Sequence, residues 1–272
     1  MNKLKNLVYP YLLWMGVLVL LPTLLVLLLS ISDLDIFNLG PFNFSDDAFS
    51  FLGREEVKIA AINSIKYSVL ATIFCFVIGY PVAYFLSNSN SKNKTLYVTL
   101  LIIPIWSNML LRIIAWERLF FPVSILNVFG ISLDLIGTDT AIIIGMVSMY
   151  LPFMVLPIYS VLEKLDKNLI EASKDLGANE FKTFRKVIFP LSIGGVVSGT
   201  IMTLLPAMTA FALPERLGGS KIILIGNIVE DYFIKSGNIN AGSLISIILM
   251  VVIVVMFIVI VKFDKEGETL IW

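Results

Sequence analysis

Acidic and aromatic side chains are the groups in this sequence whose types and positions suit chemistry, and that chemistry is contact with a cation. Glu117, Glu215, Glu230 and Asp231 stand at the ends of apolar stretches or in the last loop between them. Trp106, Trp116, Tyr150 and Phe211 lie within such stretches, with the amide of Asn108 among them. Carboxylates, ring faces and amide oxygens can hold an ammonium group without any bond being made or broken. Each also has a plainer role open to it. Tryptophans commonly form the belt at a membrane–water interface, and Glu117 beside Arg118, like Glu215 beside Arg216, can be a solvated pair that contributes almost nothing. Composition removes much other chemistry. The 272 residues include no histidine, so imidazole metal ligands, Ser-His-Asp triads and histidine proton relays are excluded. The single cysteine, Cys75, sits inside an apolar run, so the chain can build neither a disulfide framework nor a thiolate metal cluster. No Gly-x4-Gly-Lys-Ser/Thr phosphate loop occurs. The charge-free stretches hold no acid pair of the kind that proton relays or carboxylate catalysts need.

The elements that carry these groups belong in a bilayer. The chain is 58% hydrophobic and 15% charged, with a mean hydropathy of +0.92, against roughly 45–50% and about 25% for a soluble domain. Charge-free windows run over 6–32, 67–91, 95–111, 140–162, 187–214 and 236–261, close to the ~20 residues that a membrane helix requires. The third window resumes after Arg112 as Ile-Ile-Ala-Trp, which predicts a longer span with Arg112 snorkelling near one end. A further apolar stretch, Ile222 to Val229, is too short to cross and reads as a re-entrant or surface segment. Window 6–32 exceeds a signal-peptide core and is followed by no Ala-x-Ala-like site, so it is expected to be a retained span. Six spans place both termini on one side. With that side inside, its segments hold twelve Lys and Arg, including the run Lys182, Arg185 and Lys186, against six outside, and the positive-inside rule makes both termini cytoplasmic. Pro22, Pro81, Pro104, Pro152, Pro157 and Pro206 fall within spans. Each removes a backbone hydrogen bond, which a bilayer tolerates where protein or a water-lined cavity satisfies the freed group. Ordinary packing kinks account for any one of them, while several together predict a central cavity.

The longest cytoplasmic loop, Glu163 to Pro190, has its own punctuation. Asn168 followed by Glu171 fits a capping box with Asn in place of Ser or Thr. Leu169, Ala172 and Leu176 then share a helical face, Gly177 suits the left-handed turn that ends a helix, and Asn179 suits the cap of a second helix. On that second helix Phe181, Phe184 and Ile188 line one side and Lys182, Arg185 and Lys186 the other, before Pro190 opens the next span. Taken alone, the pattern fits a helical hairpin offered to a cytoplasmic partner and equally a connector helix lying on the membrane surface.

The run Glu171-Ala-Ser-x3-Gly177, then Val187-x-Phe189-Pro190, resembles the EAA loop of ABC-importer permeases, the binding-protein-dependent, MetI-like family, whose pattern is EAA-x3-G-x9-I-x-LP. Ser173, Val187 and Phe189 depart from it conservatively. Gly79-Tyr-Pro-Val-Ala-Tyr-Phe-Leu86, Ile103-Pro-Ile-Trp-Ser-Asn108 with Arg112, Tyr150 to Ser160, Leu205-Pro-Ala-Met208 and Leu224-Ile-Gly-Asn227 further resemble the B-type subunit of spermidine/putrescine permeases. The resemblance implies an all-α, polytopic membrane bundle of six transmembrane helices with a cytoplasmic coupling-helix loop. It implies a first helix and outer loop over 1–60, a permease domain over 61–262 and a cytoplasmic tail over 263–272. Glu171, Ala172, Ser173 and Gly177 become the contact with an ATPase subunit. Trp106, Asn108, Trp116, Glu117, Tyr150, Phe211, Glu215 and Asp231 become the substrate pathway. The implied partners are two ABC ATPase subunits that bind ATP and Mg, a second homologous permease subunit of C type, an extracytoplasmic polyamine-binding protein and membrane lipid, with no nucleic acid. The chain itself would carry no cofactor and catalyse no reaction, and would sit in a bacterial plasma (inner) membrane. The alternatives are a permease of the same type for another small solute, or a secondary transporter independent of an ATPase. Outer segment 33–58, with Phe37, Phe42, Phe44, Phe49 and Phe51 among acidic residues, reads either as a dock for the binding protein or as an interfacial lid.

Overall fold

The computed structural model describes residues 2–33, 43–89, 92–123, 127, 130 and 132–262. Its helices are α1 (Asn2–Met15), α2 (Leu21–Ser30), α3 (Asp47–Leu52), α4 (Glu55–Asn88), α5 (Lys94–Trp106), α6 (Met109–Phe120), α7 (Asp139–Glu163), α8 (Lys167–Asp175), α9 (Glu180–Thr183), α10 (Phe189–Leu191), α11 (Ile193–Met208), α12 (Ala212–Leu217), α13 (Ile225–Glu230) and α14 (Ile239–Val261). Wide helical turns with i→i+5 geometry lie at Gly16–Leu20, Phe184–Ile188 and Asp231–Lys235.

Among the described residues, four helices are long and apolar enough to cross a membrane: Tyr9–Ser30, Glu55–Asn88, Asp139–Glu163 and Ile239–Val261. Two further apolar lengths are bent pairs, Lys94–Trp106 with Met109–Phe120 at 93° and Glu180–Leu191 with Ile193–Met208 at 61°. The count becomes six if each pair is one span. The third stretch is therefore not the single long helix that its hydropathy predicts. Ser107 and Asn108 are both extended, and the Asn108 side chain accepts a hydrogen bond from the Leu110 N–H at 2.9 Å, so a fresh helix begins there. Arg112 lies in the first turn of that new helix rather than near the end of a span. Pro81, Pro104, Pro152, Pro157 and Pro206 are inside helices as expected. Pro22 likewise falls inside the span Tyr9–Ser30, just after the wide turn at Gly16–Leu20.

Two compact units divide the chain, Met1–Ile59 with Ile228–Ile253 and Ala60–Asn227 with Val254–Trp272. In the first unit the apolar side chains from Tyr9 to Leu28 are mostly exposed. Phe51 meets the Tyr232 ring edge-on at 5.5 Å, and the Arg54 guanidinium covers the Phe51 ring at 4.0 Å. Phe37 and Phe42, and the tail over 263–272, lie outside the described residues.

The second unit is built around α7. Tyr67, Ala71 and Cys75 of α4 are buried with Ile142, Met146, Met149, Met154 and Ile158 of α7 and with Leu213, Leu217 and Leu224. In a bilayer the lipid tails are as apolar as this core, so helices hold together by close approach and not by escape from water. Gly195 and Gly199 supply that approach where α11 crosses α7. A Cβ at Gly199 would stand 2.9 Å from the Met154 carbonyl, and one at Gly195 2.9 Å from that of Pro157. Polar ties fix α7 at both ends. At its start Asp139 pairs with Lys66 at 2.7 Å and accepts the Tyr67 hydroxyl at 2.6 Å; at its finish Glu163 pairs with Lys94 at 2.6 Å.

Candidate functional site

Two features of the second unit can act, an exposed helical hairpin and a cavity. The hairpin begins one residue pair earlier than its capping-box pattern predicts. Asp166, not Asn168, is the cap, and its carboxylate accepts the Asn168 N–H at 2.9 Å. Asp and Asn cap about equally well, and an anion at this end also meets the positive pole of the helix, which favours the earlier start. Gly177 takes φ +78°; its N–H bonds the Lys174 carbonyl at 2.9 Å and the Ala178 N–H bonds that of Ser173 at 3.1 Å, closing the helix. Asn179 caps α9 through the Lys182 N–H at 2.8 Å.

The arms of the hairpin are tied together. Ser173 Oγ lies 3.1 Å from Thr183 Oγ1, so the hydroxyl that distinguishes Ser173 from the family's alanine has a partner. Lys174 pairs with Glu180 at 3.0 Å, and that hydrogen bond holds its ammonium pKa above the ordinary value. The expected apolar line on the second arm divides. Ile188 is buried and Phe184 half-buried, whereas Phe181 is 71% exposed. Phe184 and Phe189 pack on Tyr80 with ring centroids 5.7 and 5.6 Å away, and Phe184 also meets Tyr84 at 5.6 Å. Tyr80 Oη and Ser192 Oγ are 2.8 Å apart in a buried contact. Glu171, Ala172, Leu169, Leu176 and Phe181 remain on the outside, Leu176 with 88% of its surface open. The hairpin thus has a rigid base on α4 and an apolar outer face that no described part of this unit covers.

The cavity has a volume of about 640 Å³ and lies where α6, α7 and the end of α11 meet; Arg112, Tyr150, Phe153, Pro206, Thr209 and Phe211 contribute to its lining. Pro206 and the interruption of the helix at Thr209–Ala210 form one wall. The Tyr150 hydroxyl donates to the Pro206 carbonyl at 3.3 Å. The short segment after α12 braces that wall: Asn227 Nδ2 donates to the Phe211 carbonyl at 2.7 Å and Asn227 Oδ1 accepts the Leu224 N–H at 3.2 Å. Asn63 and Ser64 of α4 hold the same segment through the Ile223 carbonyl and the Ile225 N–H, at 3.2 and 2.8 Å. Ile222, Leu224 and Ile225 are buried, so this stretch is packed inward and not a surface segment.

Of the residues singled out for a substrate pathway, Tyr150 and Phe211 line the cavity. Trp106 is 87% exposed at the end of α5, and Asn108 is the helix cap described above. Trp116 stacks on Phe120 at 5.2 Å. Glu117 pairs with Arg216 at 3.7 Å, Glu215 is exposed in the first turn of α12, and Asp231 belongs to the other unit, 4.0 Å from Lys235. None of these carboxylates lines the cavity; its charged residue is Arg112. Sequence reasoning read Arg112 only as a snorkelling cation and gave Asn227, Tyr80 and Ser192 no role of their own. The first two were visible as polar residues interrupting apolar runs.

The fold matches solved transporters. The chain superposes on the crystal structure of a bacterial ABC transporter involved in the import of the acidic polysaccharide alginate, with a TM-score of 0.79 over 97% of this chain and 95% of that one, at 13% identity. A methionine ABC transporter, MetNI, in inward-facing form aligns at 0.56 over 83% of this chain and 98% of that one, at 19% identity. The chain belongs to the family of binding-protein-dependent transport system inner membrane components, whose model matches residues 2–265. Its relatives include the spermidine/putrescine transport system permease protein PotB of Haemophilus influenzae, 38% identical over 93% of this chain and 91% of that protein. PotB of Escherichia coli K12 is 36% identical over 88% of this chain and 90% of its own length.

Proposed function

We propose that this chain is the B-type permease subunit of an ATP-driven importer of spermidine and putrescine. The observation that carries the proposal is the likeness to PotB proteins over about nine-tenths of both chains. In this reading each bent pair counts as one span, six spans cross the inner membrane, and both termini and the hairpin face the cytoplasm. The partners are two ATPase subunits that bind ATP and Mg, a second homologous permease subunit of C type, and an extracytoplasmic binding protein that delivers the solute. Leu169, Ala172, Leu176 and Phe181, with Glu171, seat in a groove of one ATPase subunit. ATP-driven closure of the ATPase pair moves the hairpin, and the stacked rings of Phe184, Phe189 and Tyr80 carry that movement into α4 as a rigid displacement. Hydrolysis lets the bundle return to its inward-open form.

Within the cavity, Tyr150 and Phe211 offer ring faces to the ammonium and methylene groups of the solute, contacts weak enough to release it. Glu117, Glu215 and Asp231, with Trp106, Asn108 and Trp116, are assigned to the route outside the cavity. The test is uptake of labelled spermidine and putrescine in cells lacking this chain, with and without its restoration. Restored, energy-dependent uptake that only polyamines compete for is the expected result. No restored uptake while the chain still co-purifies with an ATPase subunit would retain the importer and discard the polyamine.

A further inference from the structure

Arg112 is half-buried where it lines the cavity, and two of its three nitrogens, Nε and Nη1, are sealed from solvent with no hydrogen-bond acceptor. The Tyr150 hydroxyl, which lines the same space, is already directed at the Pro206 carbonyl. No acid lines the cavity among the described residues, and Glu117, five residues further along α6, is paired with Arg216 at 3.7 Å. A guanidinium cannot relieve its burial by losing a proton, and a desolvated charge without a partner is strongly unfavourable. Among the described residues no acid lines the cavity or pairs with Arg112, which leaves the counter-charge to a molecule that faces this one. The mouth of the cavity is apolar: Met109, Leu110 and Phe211 line it and are 39%, 57% and 48% exposed. An apolar rim around one unpaired cation matches a protein surface that carries a single acid at its centre.

We infer that a carboxylate of the second permease subunit enters this cavity and pairs with Arg112. The inference rests on the reading above, in which a second permease subunit faces this one and the solute is itself a cation, hence unable to neutralise Arg112. The paired acid then has two competing partners. While Arg112 holds it the site is closed and neutral; an arriving ammonium group draws the same acid away, so opening is coupled to the presence of a cation.

The test uses the assembled complex in membranes. Arg112→Met is expected to lower polyamine uptake about tenfold or more, because it strands the partner's acid, while Arg112→Lys retains much of it. In the Arg112→Met background each Asp and Glu in the second permease subunit's spans is changed to Asn or Gln. One of these changes should recover a substantial part of the uptake, which also shows that the variant chain is folded. Unaltered uptake in Arg112→Met overturns the pairing, as does the failure of every neutralised acid to couple to it. Uptake that depends on anionic lipid in the wild type but not in Arg112→Met would overturn it in favour of a lipid phosphate. If the second permease subunit does not co-purify even with the wild-type chain, the underlying reading of the assembly falls as well. If it co-purifies with every variant while no acid couples, only the pairing falls.

Discussion

Gly177 holds a backbone angle of φ +78° in a place where a Cβ would meet nothing within 4 Å. Any penalty for replacing it is therefore conformational, about 1–2 kcal/mol for a residue forced into the left-handed region and more for a β-branched one. Gly177→Val is expected to leave ATP hydrolysis by the complex running while uptake falls, whereas Gly177→Asn, which tolerates that angle, stays close to wild type. A fully coupled Gly177→Val protein would refute the role of this turn. Gly177 and Asn179 were legible in the sequence because each satisfies a local backbone demand. The choice of Asp166 over Asn168 was not, since two equally good caps two residues apart differ only in how the chain enters from α7. The inward-facing Arg112 was hidden for a related reason. Its neighbours in sequence suggest a snorkelling cation, and only the break at Ser107–Asn108 shows which way the new helix points.

At the scale of helices, the tight crossing of α7 and α11 depends on Gly195 and Gly199, spaced four apart on one face of α11. Gly195→Ala and Gly199→Ala each place a methyl 2.9 Å from a backbone carbonyl of α7, an overpacking that costs about 1–3 kcal/mol. Both should lower the melting temperature of the purified protein in detergent. Gly16→Ala, where nothing lies within 4 Å, should not lower it; equal losses at all three positions would sink the close-packing account. The small-residue spacing is present in the sequence, but spacing does not say which helix faces it. Hydropathy windows likewise counted six apolar lengths without registering that two of them turn, by 93° and 61°. Window averages measure how much apolar chain is available and carry no information on its direction. Pro104 and the polar pair Ser107–Asn108 were the local signs of the first turn.

For the whole molecule, the proposed orientation can be read with a single-cysteine scan. Cys75 is buried, and Cys75→Ala provides a background with no thiol. A cysteine at Lys174 should then react with a membrane-impermeant reagent only from the cytoplasmic side, and one at Lys58 only from the outside. The reverse pattern would invert the topology drawn from the distribution of positive charge. The exposed apolar face of the hairpin has one more consequence, which concerns abundance. In the proposed orientation, an unassembled copy of this chain carries into the cytoplasm the kind of surface that quality-control proteases and holdases bind. Its steady-state level should therefore be set by the supply of the proposed ATPase partner and not by its own rate of synthesis. Cells lacking that partner are expected to lose the chain after normal translation, and Leu176→Ser with Phe181→Ser should lengthen its lifetime there even as it abolishes uptake.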